Sequence, residues 1–471
     1  MIRRPLVLAL ALSLLPAVAS AEDLLQTYEL ARQGDPQLSA AESNRLATKE
    51  DRIQARAALL PSLSGTARLT RSRTTTEGGS GSSDPTDPDP IPAGVDFRSD
   101  STSRNYSLAA SQMIYNRASI KTYQGQNAIS QASDFTLESA SQELITRTSA
   151  AYFDVLVKLE NLAAAEAAET ALQKQFDYAS KRLEVGLAPI TDVHEARAQY
   201  DTARAGTITA RNAVEDAYQG LSQITGQPVR ALKALPADFK PNLPEAQDVE
   251  GWVNNAVQNN PSLRAQDLQV RAAEIGVETA RAGHWPTLSL NGSYGDNANW
   301  GDRTFMGQTM NAPGNANHGP SIGLELSVPL YAGGRIQSGV RQALARRDAA
   351  QDELERQKRL LVRTTRNAYQ TLVAGISEVE ARRLALVSAQ AAYDASQVGL
   401  EVGTRTVLDV LNNQRTLLEA QQAYAQSKYN YLQNRLLLEQ AAGSLDVADV
   451  QDINRLLTAD AATNLAPPQA Q

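Results

Sequence analysis

Hydrophobic positions along this chain follow two alternating periods. From Leu24 to about Leu60 they recur every three or four residues, the spacing of an amphipathic helix, with a break at Asp35-Pro36. From Leu63 the period becomes two. Leu63, Gly65, Ala67 and Leu69 alternate with Ser64, Thr66, Arg68 and Thr70, which predicts a strand with one apolar and one polar face. A polar stretch rich in Gly, Ser, Asp and Pro, 74–100, predicts a long loop. Alternation returns at 104–115, with Tyr106, Leu108, Ala110 and Ile114 on one face. The segment from Ile120 to Val185 has no proline and is rich in Ala, Leu, Gln and Glu, the composition of one long helix of roughly 100 Å. Gly186 to Ile190, containing Pro189, breaks it, and a return helix is predicted from Thr191 to about Thr225.

The same order is then written again. A helix is predicted from about Val249 to Gly283, then alternation at 287–294, a Gly/Asn-rich loop at 296–318 and a strand at 322–330. Gly333-Gly334 ends the strand. A second long helix is predicted from Ile336 to Leu400. Its apolar positions recur every seven residues, at Val362, Tyr369 and Ile376 and at Leu372, Val379 and Leu386, the coiled-coil period. A turn at 402–406 precedes a helix to about Ala442, and the tail after Leu457 is predicted to be disordered. Leu-Glu-Val-Gly stands at 183–186 and at 400–403, each followed by Asp-Val (Asp192-Val193, Asp409-Val410). Pro36 and Pro61 have the same 25-residue separation as Pro261 and Pro286. The chain is one half written twice. The expected organisation is a leader at 1–21, a first repeat at 22–226, a linker at 227–248, a second repeat at 249–445 and a C-terminal segment at 446–471.

Composition narrows what such a chain does. Arg3 and Arg4, the apolar run from Leu6 to Leu15 and Ala19-Ser20-Ala21 form a secretory signal, so the mature chain is expected to begin at Glu22, with no N-terminal cysteine to carry a lipid. After Ala21 no run of about 20 apolar residues occurs, so an exported chain that enters a membrane must do so as a closed β-barrel. Four strands cannot close one, and a membrane role therefore requires oligomerisation. The same alternation also suits a soluble sandwich with one wet face. A net charge of -7 argues against a general nucleic-acid binder, and the absence of cysteine removes disulfides and thiolate sites. His194, His284 and His318 are scattered without metal-ligand spacing. Asp84, Asp87 and Asp89 lack the glycine and terminal glutamate of a calcium loop. No nucleophile elbow or phosphate loop occurs, so no enzyme, cofactor or metal is expected. Asp192, in the first turn of its helix, suits a capping role.

The residues RLEVGLAPITDVHEARAQYDTARAGTITARN at 182–212, EVGTRTVLDVLNNQRTLLEAQQAYAQSKYNYL at 401–432, Ala151-Tyr152-Phe153, GHWPTLSL at 283–290 and LSVPLYAGG at 326–334 resemble the TolC family of outer-membrane efflux and secretion channels. The resemblance covers nearly the whole mature chain and answers the closure problem. It implies a mainly α homotrimer with a β-barrel portion. Each protomer would give four strands to a shared twelve-stranded barrel in outer-membrane lipid, and long helices to a tunnel through the periplasm of a Gram-negative bacterium. It implies partnership with a periplasmic adaptor and an inner-membrane ABC or proton-driven transporter, and export of secreted proteins, drugs or both. The rival expectation is a soluble periplasmic coiled-coil adaptor.

The resemblance also assigns residues. Arg405 matches an arginine that latches the periplasmic entrance, and Thr191 and Asp192 match its acceptor pair. Asp409 matches a carboxylate lining the narrowest ring. Three departures stand beside these matches. Asn412 replaces a second ring aspartate, which implies weaker cation selectivity. Leu400 replaces a tyrosine of the closing bond network, and Pro189 stiffens the first tip.

Overall fold

The computed structural model describes residues 23–76, 97–236, 239–242, 248–305 and 308–461. The leader, the three loop aspartates Asp84, Asp87 and Asp89 and the end of the tail lie outside the described residues. The elements run α1 (Leu24–Gly34), α2 (Pro36–Ala57), β1 (Ser62–Thr76), β2 (Phe97–Tyr115), α3 (Arg117–Glu184) and α4 (Ile190–Thr225), then β3 (Lys233–Ala234). The order repeats as α5 (Val249–Asn259), α6 (Pro261–Arg281), β4 (Thr287–Phe305), β5 (Gln308–Ser327), α7 (Arg335–Glu401) and α8 (Val407–Ala442). The described chain ends with α9 (Val447–Leu456) and β6 (Ala459–Asp460). α3 and α7 hold 68 and 67 residues.

Two expectations are corrected. The helix predicted over 249–283 is broken between Asn260 and Pro261, as the first is between Asp35 and Pro36. Proline lacks the N–H that would continue the helix, and Asp35 and Asn260 instead accept side-chain bonds from the N–H of Leu38 (2.9 Å) and Leu263 (3.1 Å). The Gly/Asn-rich 296–318 is no loop. β4 and β5 stay paired from Thr287↔Ser327 to Phe305↔Gln308, so main-chain pairing that starts at the apolar roots carries residues of poor strand propensity. β1 and β2 likewise reach Thr76 and Phe97 at the ends of the predicted loop.

The chain divides into two compact units, each drawing on both repeats. The first comprises 1–45, 132–267 and 353–471. Its core joins Leu24 and Tyr28 of α1, Leu144, Tyr152 and Leu156 of α3, Leu221 of α4, Tyr429, Leu432 and Leu436 of α8, and Val450 and Ile453 of α9. The heptad residues Leu372 and Val379 are buried in it, with Tyr369, Ile376 and Leu386 packed alongside. The start of the tail expected to be disordered is ordered here: β6 pairs with β3, and Ala461 is buried. At the end of each return helix the backbone approaches the proline break closely. The left-handed Gly443 (φ 74°) leaves no room for a Cβ, which would meet Asn260 Cα at 2.6 Å.

The second unit, 46–131 and 268–352, carries an antiparallel sheet ordered β1-β2-β4-β5. The register places Gly65 opposite Leu108, Leu108 opposite Tyr294, and Leu290 opposite Leu324, so the predicted apolar positions share one face. That face is bare: Leu69 is 71% exposed and Ile322 82%. The other face is zipped by hydroxyl and amide pairs, including Thr66–Ser107 (2.7 Å), Ser111–Asn291 (2.7 Å) and Ser293–Ser321 (2.8 Å). Among the described residues β1 and β5 leave two sheet edges without a partner strand. No helix among the described residues is long and apolar enough to cross a membrane.

Candidate functional site

The two turns that close α3–α4 and α7–α8 share a backbone and differ in their side chains. Each long helix ends on a left-handed glycine, Gly186 (φ 73°) or Gly403 (φ 80°). The Gly186 N–H bonds to Leu183 O (2.9 Å) and Leu187 N–H to Arg182 O (2.8 Å). The second turn repeats this with Gly403 to Leu400 (3.2 Å) and Thr404 to Gly399 (2.8 Å), the paired bonds of a Schellman end. Beneath the second turn, Leu400, Val407, Val410 and Leu411 pack with Leu172 of α3 and Tyr393 of α7. Leu400 thus fills an apolar cluster. Around the turns Val185, Leu187, Ile190, Val402 and Leu408 remain exposed.

The start of each return helix is where the turns part. Thr406 is the N-cap of α8 and forms a full capping box. Asp409 Oδ2 accepts from the Thr406 N–H (2.9 Å) and hydroxyl (2.8 Å), while Asp409 N–H donates to Thr406 Oγ1 (3.2 Å). These bonds, the backbone one first, hold the Asp409 carboxyl below the usual range, and Arg405 adds to the effect. Pro189 occupies the matching place before α4 and makes no side-chain cap bond. Asp192 therefore does not cap its helix: among the described residues its carboxylate receives only a long bond from the Thr191 hydroxyl, 3.5 Å. In the second turn the box of Thr406 and Asp409 caps α8. The Thr-x-x-Asp spacing at 406–409, against Pro-x-x-Asp at 189–192, carries that distinction in the sequence.

Arg405 is exposed, with its N–H bonded to Gly399 O (3.0 Å) and its side chain laid across Gly399. A Cβ at Gly399 would meet Arg405 Cγ at 2.6 Å, so the glycine makes the shelf on which the arginine rests. Within one chain no hydrogen bond or ion pair among the described residues joins Arg405 to Thr191 or Asp192. Asn412 is exposed one turn beyond Asp409, on the side of α8 away from the buried Val410, Leu411 and Gln414. His194 lies on α4 and His318 on β5, and among the described residues no group of three or more potential metal ligands converges.

Two ionic groups escaped the reading of the sequence. Lys428 Nζ donates to both oxygens of Glu160 (2.9 and 3.0 Å), and the Tyr429 hydroxyl to the first (2.9 Å). Burial, with Glu160 beside it, raises the Tyr429 hydroxyl strongly. Glu439 is buried near the end of α8, and its Oε2 finds no donor. Burial and the facing Asp449 push its carboxyl up to about 8, against the pull of Arg435. The Lys428–Glu160 pair lies far apart in sequence and carries no local pattern, whereas Arg435 and Glu439 stand one turn apart on α8.

This arrangement of helices, sheet and turns matches known proteins. The family model described as outer membrane efflux protein matches residues 27–227 and 252–444. The chain belongs to this family. It is 35% identical over 467 residues to the outer membrane protein TolC of Escherichia coli K12, covering 98% of this chain and 90% of that protein. It is 28% identical over 449 residues to the alkaline protease secretion protein AprF of Pseudomonas aeruginosa, covering 93% and 88%. Among solved structures, the outer membrane channel CmeC of Campylobacter jejuni shares the fold with a TM-score of 0.72 at 18% identity, over 93% of this chain and 90% of that one. The outer membrane channel MtrE of Neisseria gonorrhoeae does so at 0.67 and 17%, over 90% and 89%. The chain is an outer-membrane efflux or secretion channel, and its bare apolar sheet face meets the demand of that setting. The soluble adaptor finds no support.

Proposed function

We propose that three copies assemble into a gated conduit, and that the tips of the helix pairs form its periplasmic gate. The observation that carries this reading is the four-stranded sheet, with an apolar face in the open and two edges unpaired in the chain. Unpaired strand edges are not tolerated in lipid. Three such sheets joined edge to edge make a closed barrel of twelve strands. α3, α4, α7 and α8 then continue the conduit into the periplasm, as two repeats per protomer.

At the gate, Arg405 of one protomer bonds to Thr191 and Asp192 of its neighbour. A charge-assisted bond of this kind is strong enough to hold a state and is released by a competing partner. Among the described residues neither Arg405 nor Asp192 forms a salt bridge within the chain, which supports the assignment. Asp409 lines the constriction, and Asn412 leaves the next ring neutral, so cation preference is weaker than with two charged rings. The apolar tip residues Val185, Leu187, Ile190 and Val402 suit a periplasmic adaptor coupled to an ABC or proton-driven transporter. The conduit performs no chemistry itself. Its cargo is secreted protein, drugs or both; relatives named for alkaline protease secretion (AprF) and for pyoverdine export (OpmQ) support export of proteins and of small molecules.

Cysteine scanning tests the latch on a clean background, since the chain has no cysteine. With Asp192→Cys and Arg405→Cys together, oxidation is expected to link protomers into trimers on a denaturing gel and to hold the pore shut in a bilayer until reduction. Linkage only within single chains, or none, contradicts the latch.

A further inference from the structure

Asp409 enters the proposed constriction with one oxygen already committed. Its Oδ2 takes both the N–H and the hydroxyl of Thr406, at 2.9 and 2.8 Å, and the reciprocal bond from its own N–H closes the box. The first tip offers an internal contrast. Pro189, three residues after its left-handed glycine as Thr406 is after Gly403, has neither N–H nor hydroxyl to give, and Asp192 receives neither bond. Three carboxylates around one axis repel one another, and such crowding favours protonation. Two donors on the same oxygen and the N-terminus of α8 oppose it.

We propose that Thr406 is a positioning residue for the conduit. It turns Asp409 back onto its own helix start and keeps it ionised where three copies crowd the axis, and so sets the cation preference of the closed pore. The proposal rests on the reading of Asp409 as pore-lining. The one charged group acting on Asp409 from its own turn is Arg405. On α7 and α3, which pack against Val410 and Leu411 beside it, Glu401, Tyr393, Lys174 and Tyr178 line one cavity with Leu400, and none of them bonds to Asp409 among the described residues. The favourable donors therefore come from Thr406. A committed Oδ2 also leaves only Oδ1 to face passing ions.

The experiment is a pH series of reversal potentials for the purified full chain in a planar bilayer across a potassium chloride gradient. The wild type is expected to lose cation preference only at a pH below the ordinary carboxylate range. Asp409→Asn should abolish the transition; if the transition survives there unchanged, Asp409 is not the pore charge and the underlying reading fails. With that control in place, Thr406→Ala should move the transition upward towards the ordinary carboxylate range, while Thr406→Ser restores the wild-type profile. Thr406→Pro, which copies the helix start already used at Pro189, should move it in the same direction and serves if the alanine variant does not assemble. Transitions of Thr406→Ala and Thr406→Pro at the wild-type pH overturn the proposal while leaving the pore assignment intact.

Discussion

At the scale of single residues, burial decides which polar groups matter for folding. Asp35 is 3% exposed in its side chain and paired with Arg147 at 2.7 Å. Burial alone would raise its carboxyl, yet the Arg147 bonds and the N–H groups of Leu38 and Gln37 outweigh it and hold it low. The stabilisation is therefore present above the unfolded carboxylate range and is lost as pH falls through the depressed folded value. Asp35→Ala leaves Arg147 half-buried without its partner, and a loss of about 3 kcal/mol in denaturant unfolding is expected. Glu439 carries the opposite sign. With a folded value of about 8 against an ordinary 4.5, the folded chain holds a proton the unfolded chain has released, so this group's contribution to stability falls as pH rises between those values. Glu439→Gln replaces the proton with an amide donor towards Asp449. Its melting temperature should match wild type near pH 4 and exceed it at pH 8; a difference independent of pH would show that Glu439 is ionised in the fold. Gly443→Ala, strained at φ 74° and 2.6 Å from Asn260, should cost roughly 1–3 kcal/mol by the same unfolding measurement.

Elements are legible in this sequence where a period runs uninterrupted. The two long helices, the turns at Gly186 and Gly403 and the apolar faces of the strands all follow from spacing, because each rests on residues that are neighbours along the chain or one turn apart. The extent of the strands does not. Residues 296–318 carry Gly and Asn that favour loops, and only the partner strand makes them extended. Gly301 shows how specific that pairing is. It sits at a register shift beside Asn299, and a Cβ there would collide with the Asp100 carbonyl of β2. Gly301→Val should disrupt the outer half of β4 and lower the yield of membrane-inserted protein, read by heat-modifiability on gels, while leaving the helical circular dichroism intact. The two turns were half legible. The repeated Leu-Glu-Val-Gly marked both, but the capping role that suits Asp192 by position goes unfilled, because Pro189 lacks the donors that Thr406 supplies to Asp409. α9 and β6 were missed since their burial comes from α1, α8 and β3, far away in sequence.

At the scale of the whole molecule, the proposed conduit needs copies of the same chain twice: to close a sheet whose edge strands β1 and β5 lack partners among the described residues, and to bring Arg405 to Thr191 and Asp192, which it does not reach within one chain. The same duplication that builds the wall thereby supplies unlike tips, Thr191 and Asp192 on one and Arg405 with Asp409 on the other. The most direct test is the single-channel conductance of the purified chain in planar bilayers, compared between wild type and Arg405→Ala under identical salt. Wild type should give small, steady steps of a closed conduit, and Arg405→Ala should give steps several-fold larger as the tips part. Failure of wild type to form discrete channels, or equal conductance in the two, would contradict a channel latched by Arg405.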